Sequence, residues 1–255
     1  MSRGPRQLRA LVSEVAVGSV RPVLMLDFDG TVSLGDGPVL AYADEAFAQL
    51  PAPLRAAAGE QLRRFLGGDP ELVRRYADGY GCVRDLTAGR LTSDQLSAAY
   101  LASRRRLAVD DLGSYPAPGV ADLLTAIGDR ATTVLLTNSP AVGVVESLER
   151  FGLAGLLDQV VVSAHKPHRM AEHVDALTAG RPPETLISVG DHWTNDLAIP
   201  LECGCATAHV SSAPAADQPS HAWGPDLAAL APAILDWAED PAGFVASRRP
   251  VAVSR

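Results

Sequence analysis

The sequence predicts an α/β fold: a parallel sheet covered on both faces by helices, with a mostly helical segment inserted after the first strand. Three observations point there. Short apolar runs end in small, polar or charged residues near positions 27–31, 137–139, 163–167 and 190–191. The later runs alternate with stretches at helical spacing, as strands and crossover helices do. Between residues 32 and 118 no strand-like alternation competes with helical periodicity.

Taken in order, residues 1–21 contain Arg3, Arg6 and Arg9, then an apolar stretch broken by Glu14. That is weak for a secretory signal, and the segment reads as a partly helical N-terminal arm. Pro22-Val23-Leu24-Met25-Leu26 is a brief apolar run feeding Asp27-Phe28-Asp29-Gly30-Thr31, a buried strand entering a tight loop. Within the insert, Leu40, Ala43, Phe47 and Leu50 repeat at helical spacing, and Asp69-Pro70 makes a helix start. Thr92 with Gln95 has capping-box spacing, and Arg104-Arg105-Arg106 suit that helix's carboxyl end. Val120, Leu123, Leu124 and Ile127 mark a helix before a strand at 131–136. Ser139 reads as the cap of the next helix, with Pro140 at its first position. Strands at 159–162, 185–189 and 203–210 follow, with a helix over 168–177. The resulting plan is a discontinuous core of 22–31 and 119–240, an insert of 32–118, and a flexible tail of 241–255.

Composition narrows the functional classes. With 47% hydrophobic and 20% charged residues, the chain can bury a sizeable core and does not read as disordered. A formal net charge of -8 gives no overall attraction to nucleic acid or an anionic membrane, so neither partner is expected. No uninterrupted apolar run is long enough to cross a bilayer, and a cytoplasmic location is the plain expectation. Cys82, Cys203 and Cys205 make no disulfide framework. Cys203 and Cys205, two apart in an apolar strand, should share one face and pack there.

The chemistry concentrates at the strand ends. In an extended segment Asp27 and Asp29 point the same way, so one carboxylate can act as nucleophile while its neighbour handles a proton. Asp-x-Asp alone also fits a solvated turn. Thr137 and Asn138 sit at the mouth of a helix, where a hydroxyl and backbone N–H groups can bind phosphate oxygens; helix capping is the alternative. Lys166 is the one lysine among 22 basic residues. Its compact ammonium can neutralise a carboxylate and a phosphoryl group without the planar geometry of guanidinium. Asp191, with Asn195 and Asp196 close behind, ends the fourth run; Asp27 and Asp191 together can hold a hard divalent cation such as magnesium. His165 and His192 become substrate contacts if their loops share a rim, and otherwise hydrogen-bond locally with His168. Arg84 and Arg90 flank a short loop in the insert and are candidate contacts to an acidic substrate; they also fit a solvated surface. Trp193 reads as packing.

Together these residues resemble the haloacid dehalogenase-like superfamily, in its phosphatase branch. Asp27-Phe28-Asp29-Gly30-Thr31 is similar to the first family motif, Thr137 to the second, Lys166 before Pro167 to the third, and Asp191 with Asp196 to the fourth. The resemblance covers about residues 23–210. It implies a Rossmann-like core with a helical cap and a magnesium ion held by Asp27, Asp191 and the Asp29 carbonyl, supported by Asn195 and Asp196. It also implies hydrolysis of a small phosphorylated metabolite through an aspartyl-phosphate, with Asp27 as nucleophile and Asp29 as general acid and base. Two rivals remain on this reading: a phosphoryl transferase or sugar-phosphate mutase using the same intermediate, and a non-catalytic binding protein on the same fold.

Overall fold

The computed structural model describes residues 11–12, 21–211 and 217–250. Among them are nine strands: β1 (Leu11–Val12), β2 (Val23–Leu26), β3 (Ser33–Leu34), β4 (Tyr115–Pro116), β5 (Thr132–Leu136), β6 (Gln159–Val161), β7 (Leu186–Gly190), β8 (Ala206–Val210) and β9 (Ala222–Gly224). Seven form one sheet in the order β1-β6-β5-β2-β7-β8-β9, and each neighbouring pair is parallel. β3 and β4 pair separately.

β2 lies in the middle because its four residues are all buried. A strand covered on both faces needs a continuous apolar run, which Val-Leu-Met-Leu supplies. Val23 and Met25 pack with Met170, Val174 and Leu177, while Leu24 and Leu26 are as deeply buried on the opposite face. The order of strands reverses at β2, and the crevice beyond the carboxyl ends of strands at such a point is the usual place for a ligand. Asp27 is the first residue past it.

The chain forms two compact units. One takes its described residues from Met1–Leu34, Pro116–Ala141 and Leu148–Arg255; the other comprises Gly35–Tyr115 with Val142–Ser147. The sheet belongs to the first, with α6 (Val120–Ile127). The helical unit holds α1 (Gly37–Phe47), α2 (Ala52–Leu66), α3 (Pro70–Arg75), α4 (Gly79–Leu86) and α5 (Ser93–Val109). Its core gathers Tyr42, Phe47, Leu62, Tyr76, Cys82 and Val83. Thr92 and Gln95 form the reciprocal capping box that their spacing predicts. Arg104 does not sit in a solvent-facing last turn: α5 runs five residues further, and Arg104 is fully buried, its guanidinium 5.8 Å from the Tyr100 ring.

The remaining helices are α7 (Ala141–Arg150), α8 (Met170–Thr178), α9 (Trp193–Asp196), α10 (Ala198–Glu202), α11 (Leu227–Glu239) and α12 (Pro241–Ser247). α7 departs from the expected Ser139-Pro140 start. Val142 and Gly143 are non-helical inside it, and Gly143 takes φ 86°. A Cβ there would lie 2.9 Å from the Arg104 carbonyl oxygen, so glycine meets both the backbone angle and the space. The Glu146 carboxylate accepts the Gly143 N–H at 2.7 Å, and capping is done there.

Three other expectations are corrected. Leu11 and Val12 of the N-terminal arm are not helical but pair with Val160 and Val161, because the β6 edge offers an unpaired backbone ladder. The other residues of that arm before Arg21 lie outside the described set. Residues 241–247 are not a loose tail: Asp240 accepts the Gly243 N–H, and α12 buries Phe244 beside His221. Cys203 and Cys205 do not share a strand face, since Cys203 is exposed at the end of α10 and Cys205 is buried just before β8. No helix of the described residues is long and apolar enough to cross a membrane.

Candidate active site

Each loop of the site leaves the carboxyl end of a neighbouring strand. β2 delivers Asp27 and Asp29, β5 delivers Thr137 to Ser139, β7 delivers Asp191, and the loop after β6 carries Lys166. In a parallel sheet these ends fall on one edge, so residues more than 100 positions apart meet.

Lys166 is the centre of charge. Its Nζ donates to Asp27 Oδ1 at 2.7 Å and to Asp196 Oδ1 at 2.6 Å. The lysine and Asp196 side chains are each 3% exposed, against 11% for Asp27, so the ion pairs are shielded while Asp27 keeps a face open. Burial alone would lower the Lys166 pKa; the two carboxylates outweigh it and hold the ammonium charged. Asp27 goes the other way. Burial first, then repulsion from Asp196, push it up to about 7 against the pull of Lys166.

Lys166 is held by its backbone as well. Asn138 donates from Nδ2 to the Lys166 carbonyl at 2.9 Å and accepts the Lys166 N–H through Oδ1 at 2.6 Å. The Asn138 side-chain amide thus clamps the lysine loop, and its backbone N–H is the group it can offer to an anion. The same loop holds Ser163 and His165 at φ of 50° and 55°, outside the regions that L residues prefer. His173, buried on α8, sits 2.8 Å from the Ala164 carbonyl oxygen and fixes the loop from below.

Asp191 packs directly against Gly30. A Cβ at Gly30 would fall 2.1 Å from Asp191 Oδ2, and Gly30 has φ 88°, so both the turn and the close approach require glycine. Thr31 Oγ1 lies 3.5 Å from the other Asp191 oxygen. One carboxylate oxygen from each of Asp27, Asp191 and Asp196 lies within 4.8 Å of the others, an all-oxygen set compatible with a metal ion. Both oxygens of Asp196 are already engaged, Oδ1 by Lys166 and Oδ2 by the His192 N–H at 3.1 Å.

The other candidate contacts have these surroundings. His192 caps α9, its Nδ1 accepting the Asn195 N–H at 3.4 Å. Asn195 also donates this N–H to the His192 carbonyl. His165 and His168 are exposed, and Trp193 packs with its indole N–H on the Pro219 carbonyl. Arg84 and Arg90 are both exposed in the helical unit, where Arg90 lines a cavity of about 300 Å³ with Leu54, Tyr76 and Leu86. Two contacts at the site were not legible beforehand. Ser139 donates from Oγ to Asp29 Oδ2 at 2.6 Å, and buried His209 on β8 lies with Nε2 3.1 Å from the Asp191 carbonyl oxygen. The one available signal for His209 was its place near the carboxyl end of a strand.

No family model matches the chain, and no curated protein matches it either. Solved structures match in fold. YfnB from Bacillus subtilis, described as a HAD-hydrolase and bound to magnesium, is 17% identical with a TM-score of 0.56, covering 82% of this chain and 96% of that one. A predicted phosphoglycolate phosphatase from Haemophilus somnus is 18% identical at a TM-score of 0.56, over 85% and 97% of the two chains. A haloacid dehalogenase-like family hydrolase from Xanthomonas campestris is 17% identical at 0.54, over 88% and 94%. The fold is thus that of the haloacid dehalogenase-like hydrolases, a parallel core with an inserted helical unit. Within it the chain carries a cluster of aspartates at the strand ends.

Proposed function

We propose that the chain is a magnesium-dependent phosphatase of small phosphorylated metabolites, with Asp27 as nucleophile and Asp29 as general acid and base. The observation that carries this reading is the Lys166 ammonium bonded to Asp27 beside Asp191 and Asp196. A carboxylate can attack an anionic phosphoryl group only where fixed positive charge offsets the repulsion.

The donor set fits a hard divalent cation. Asp27, Asp191 and Asp196 bring carboxylate oxygens together, two of these aspartates bonded to the Lys166 ammonium, and their donors are oxygen. Asp27 and Asp191 would hold magnesium, with the Asp29 carbonyl and water completing its shell. Bound there, the ion would neutralise charge on the phosphoryl oxygens and on Asp27.

The residues divide the work. Asp27 forms a bond to phosphorus as the bond to the leaving oxygen breaks, and Asp29 gives that oxygen its proton. Asp29, now a carboxylate, takes a proton from water as the water oxygen attacks phosphorus. The Asp27–phosphorus bond breaks and the nucleophile is restored. Lys166 balances charge throughout. Thr137 Oγ1 accepts the Ser139 N–H at 3.0 Å, which leaves its own proton to donate to a phosphoryl oxygen. Asp29 also argues for phosphate over halide chemistry, because a departing halide needs no proton.

The direct test is a phosphate-release screen over chemically diverse monoesters with magnesium. Release that stops on chelation, without loss of the circular dichroism signal, is the expected result; no release from any ester overturns the reading. A phosphorylated alcohol formed when acceptors are added would identify a transferase instead.

Magnesium and a proton should also compete at Asp27. With its pKa raised to about 7 in the metal-free protein, the folded state holds this proton where the unfolded chain has lost it. Asp27 therefore contributes stability below its unfolded pKa of 3.8, and that contribution is lost as the pH rises to about 7. Since the ion needs the carboxylate, its affinity should rise about tenfold per pH unit below about 7 and level off above. Calorimetric titration between pH 5 and 8 checks this, and a flat affinity from 5 to 7 would contradict it.

A further inference from the structure

We propose that Ser139 is a positioning residue that orients Asp29 for proton transfer, an inference that rests on reading Asp29 as the general acid and base. The Ser139 hydroxyl donates to Asp29 Oδ2 at 2.6 Å, a short bond of the charge-assisted kind. The serine is 2% exposed, and its backbone is tied at both ends. Its N–H bonds Thr137 Oγ1 at 3.0 Å, and its carbonyl accepts the Ser163 N–H at 2.9 Å. The hydroxyl thus projects from a frame shared by the loops after β5 and β6. Asp29 is framed separately, by its bridge to Ser33 and the Gly30 N–H on the Ser33 carbonyl at 2.8 Å.

A carboxyl group on two single bonds must be fixed in rotation before one oxygen can pass a proton along a defined line. A donor on Oδ2 supplies that restraint. The hydroxyl suits both states of Asp29, because it carries one donor and two acceptor sites. Helix capping does not account for it: the helical part of α7 begins beyond Gly143, where Glu146 makes the cap. Sheet pairing does not account for it either, since β2 and β5 are registered through their backbones from Val23 to Leu26.

The experiment measures kcat/KM on two esters, an aryl phosphate with an acidic phenol and an alkyl phosphate of similar size. Only the alkyl ester needs a proton on departure, and kcat/KM stops at that departure, before water is activated. Ser139→Ala is expected to lose about ten- to a hundred-fold on the alkyl ester, part of the roughly 10² to 10⁴ that proton transfer provides, and a few-fold at most on the aryl ester. Ser139→Thr, which keeps the hydroxyl, should restore the ratio of the two. In an Asp29→Asn background, Ser139→Ala should cause no further change in that ratio. The ratio is taken within each variant, so it does not depend on the fraction that folds. Equal losses on both esters in Ser139→Ala, or a further ratio change in the Asp29→Asn background, would overturn the positioning role alone. Equal losses in Asp29→Asn itself would overturn the assignment of Asp29, and this inference with it. A parent protein inert on both esters would do the same.

Discussion

Asp27→Asn is expected to bring phosphate release to background, while Asp29→Asn keeps a measurable rate. The two changes are equal in size and differ in what they remove. Asn at 27 leaves no oxygen able to form the acyl phosphate, so every turnover stops. Asn at 29 removes proton transfer alone, a loss of about 10² to 10⁴ that an acidic leaving group partly restores. The fold should tolerate both, because Lys166 keeps Asp196 as a partner at 2.6 Å when Asp27 is neutralised. Acid quenching with a labelled ester adds a second readout: the parent traps phosphate on the chain, and Asp27→Asn does not. Full activity in Asp27→Asn of verified mass, free of deamidated protein, would end the mechanism.

Lys166→Met should damage stability as well as rate. The side chain is 3% exposed and bonds two carboxylates, Asp27 and Asp196. Removing one partner of a buried pair costs about 3–5 kcal/mol, because the remaining charge is stranded away from water. Without the ammonium, Asp27 loses the main influence holding its pKa down, so it is pushed further up. The deficit in melting temperature should therefore be larger at pH 8 than at pH 5.5, where the carboxyl can keep its proton. Lys166→Arg should also be slow, since a planar guanidinium cannot stand as a compact charge between Asp27 and Asp196. Parent-like melting and turnover in Lys166→Met would remove the ammonium from the site. Amine-selective labelling of Lys166 should be slow, because the buried ammonium is held protonated.

What could be read from the sequence was local. An apolar run followed by Asp27 or Asp191, or the Thr92-Gln95 box, is written within a few residues of backbone. A parallel sheet then brings successive strand ends to one edge without further instruction. The C-terminal helix is legible in the same way: Asp240-Pro241 repeats the Asp69-Pro70 start, and both aspartates accept an N–H of the first turn.

Other features depend on partners far along the chain. Ser139-Pro140 has a helix-start signature, yet the serine hydroxyl goes to Asp29, 110 positions away, because the backbone at Gly143 delays the helix. The Asn138 side chain clamps the Lys166 backbone across 28 residues. His209 has no neighbour in sequence to mark it; its bond to the Asp191 carbonyl exists because β7 and β8 pair in register. Propensity and capping act over one turn of chain, so the sequence by itself determined the strand ends and the acids they carry. Which hydroxyl, amide or imidazole meets those acids was decided only by the packing of the sheet, since each such bond joins loops that pairing alone brings within about 3 Å.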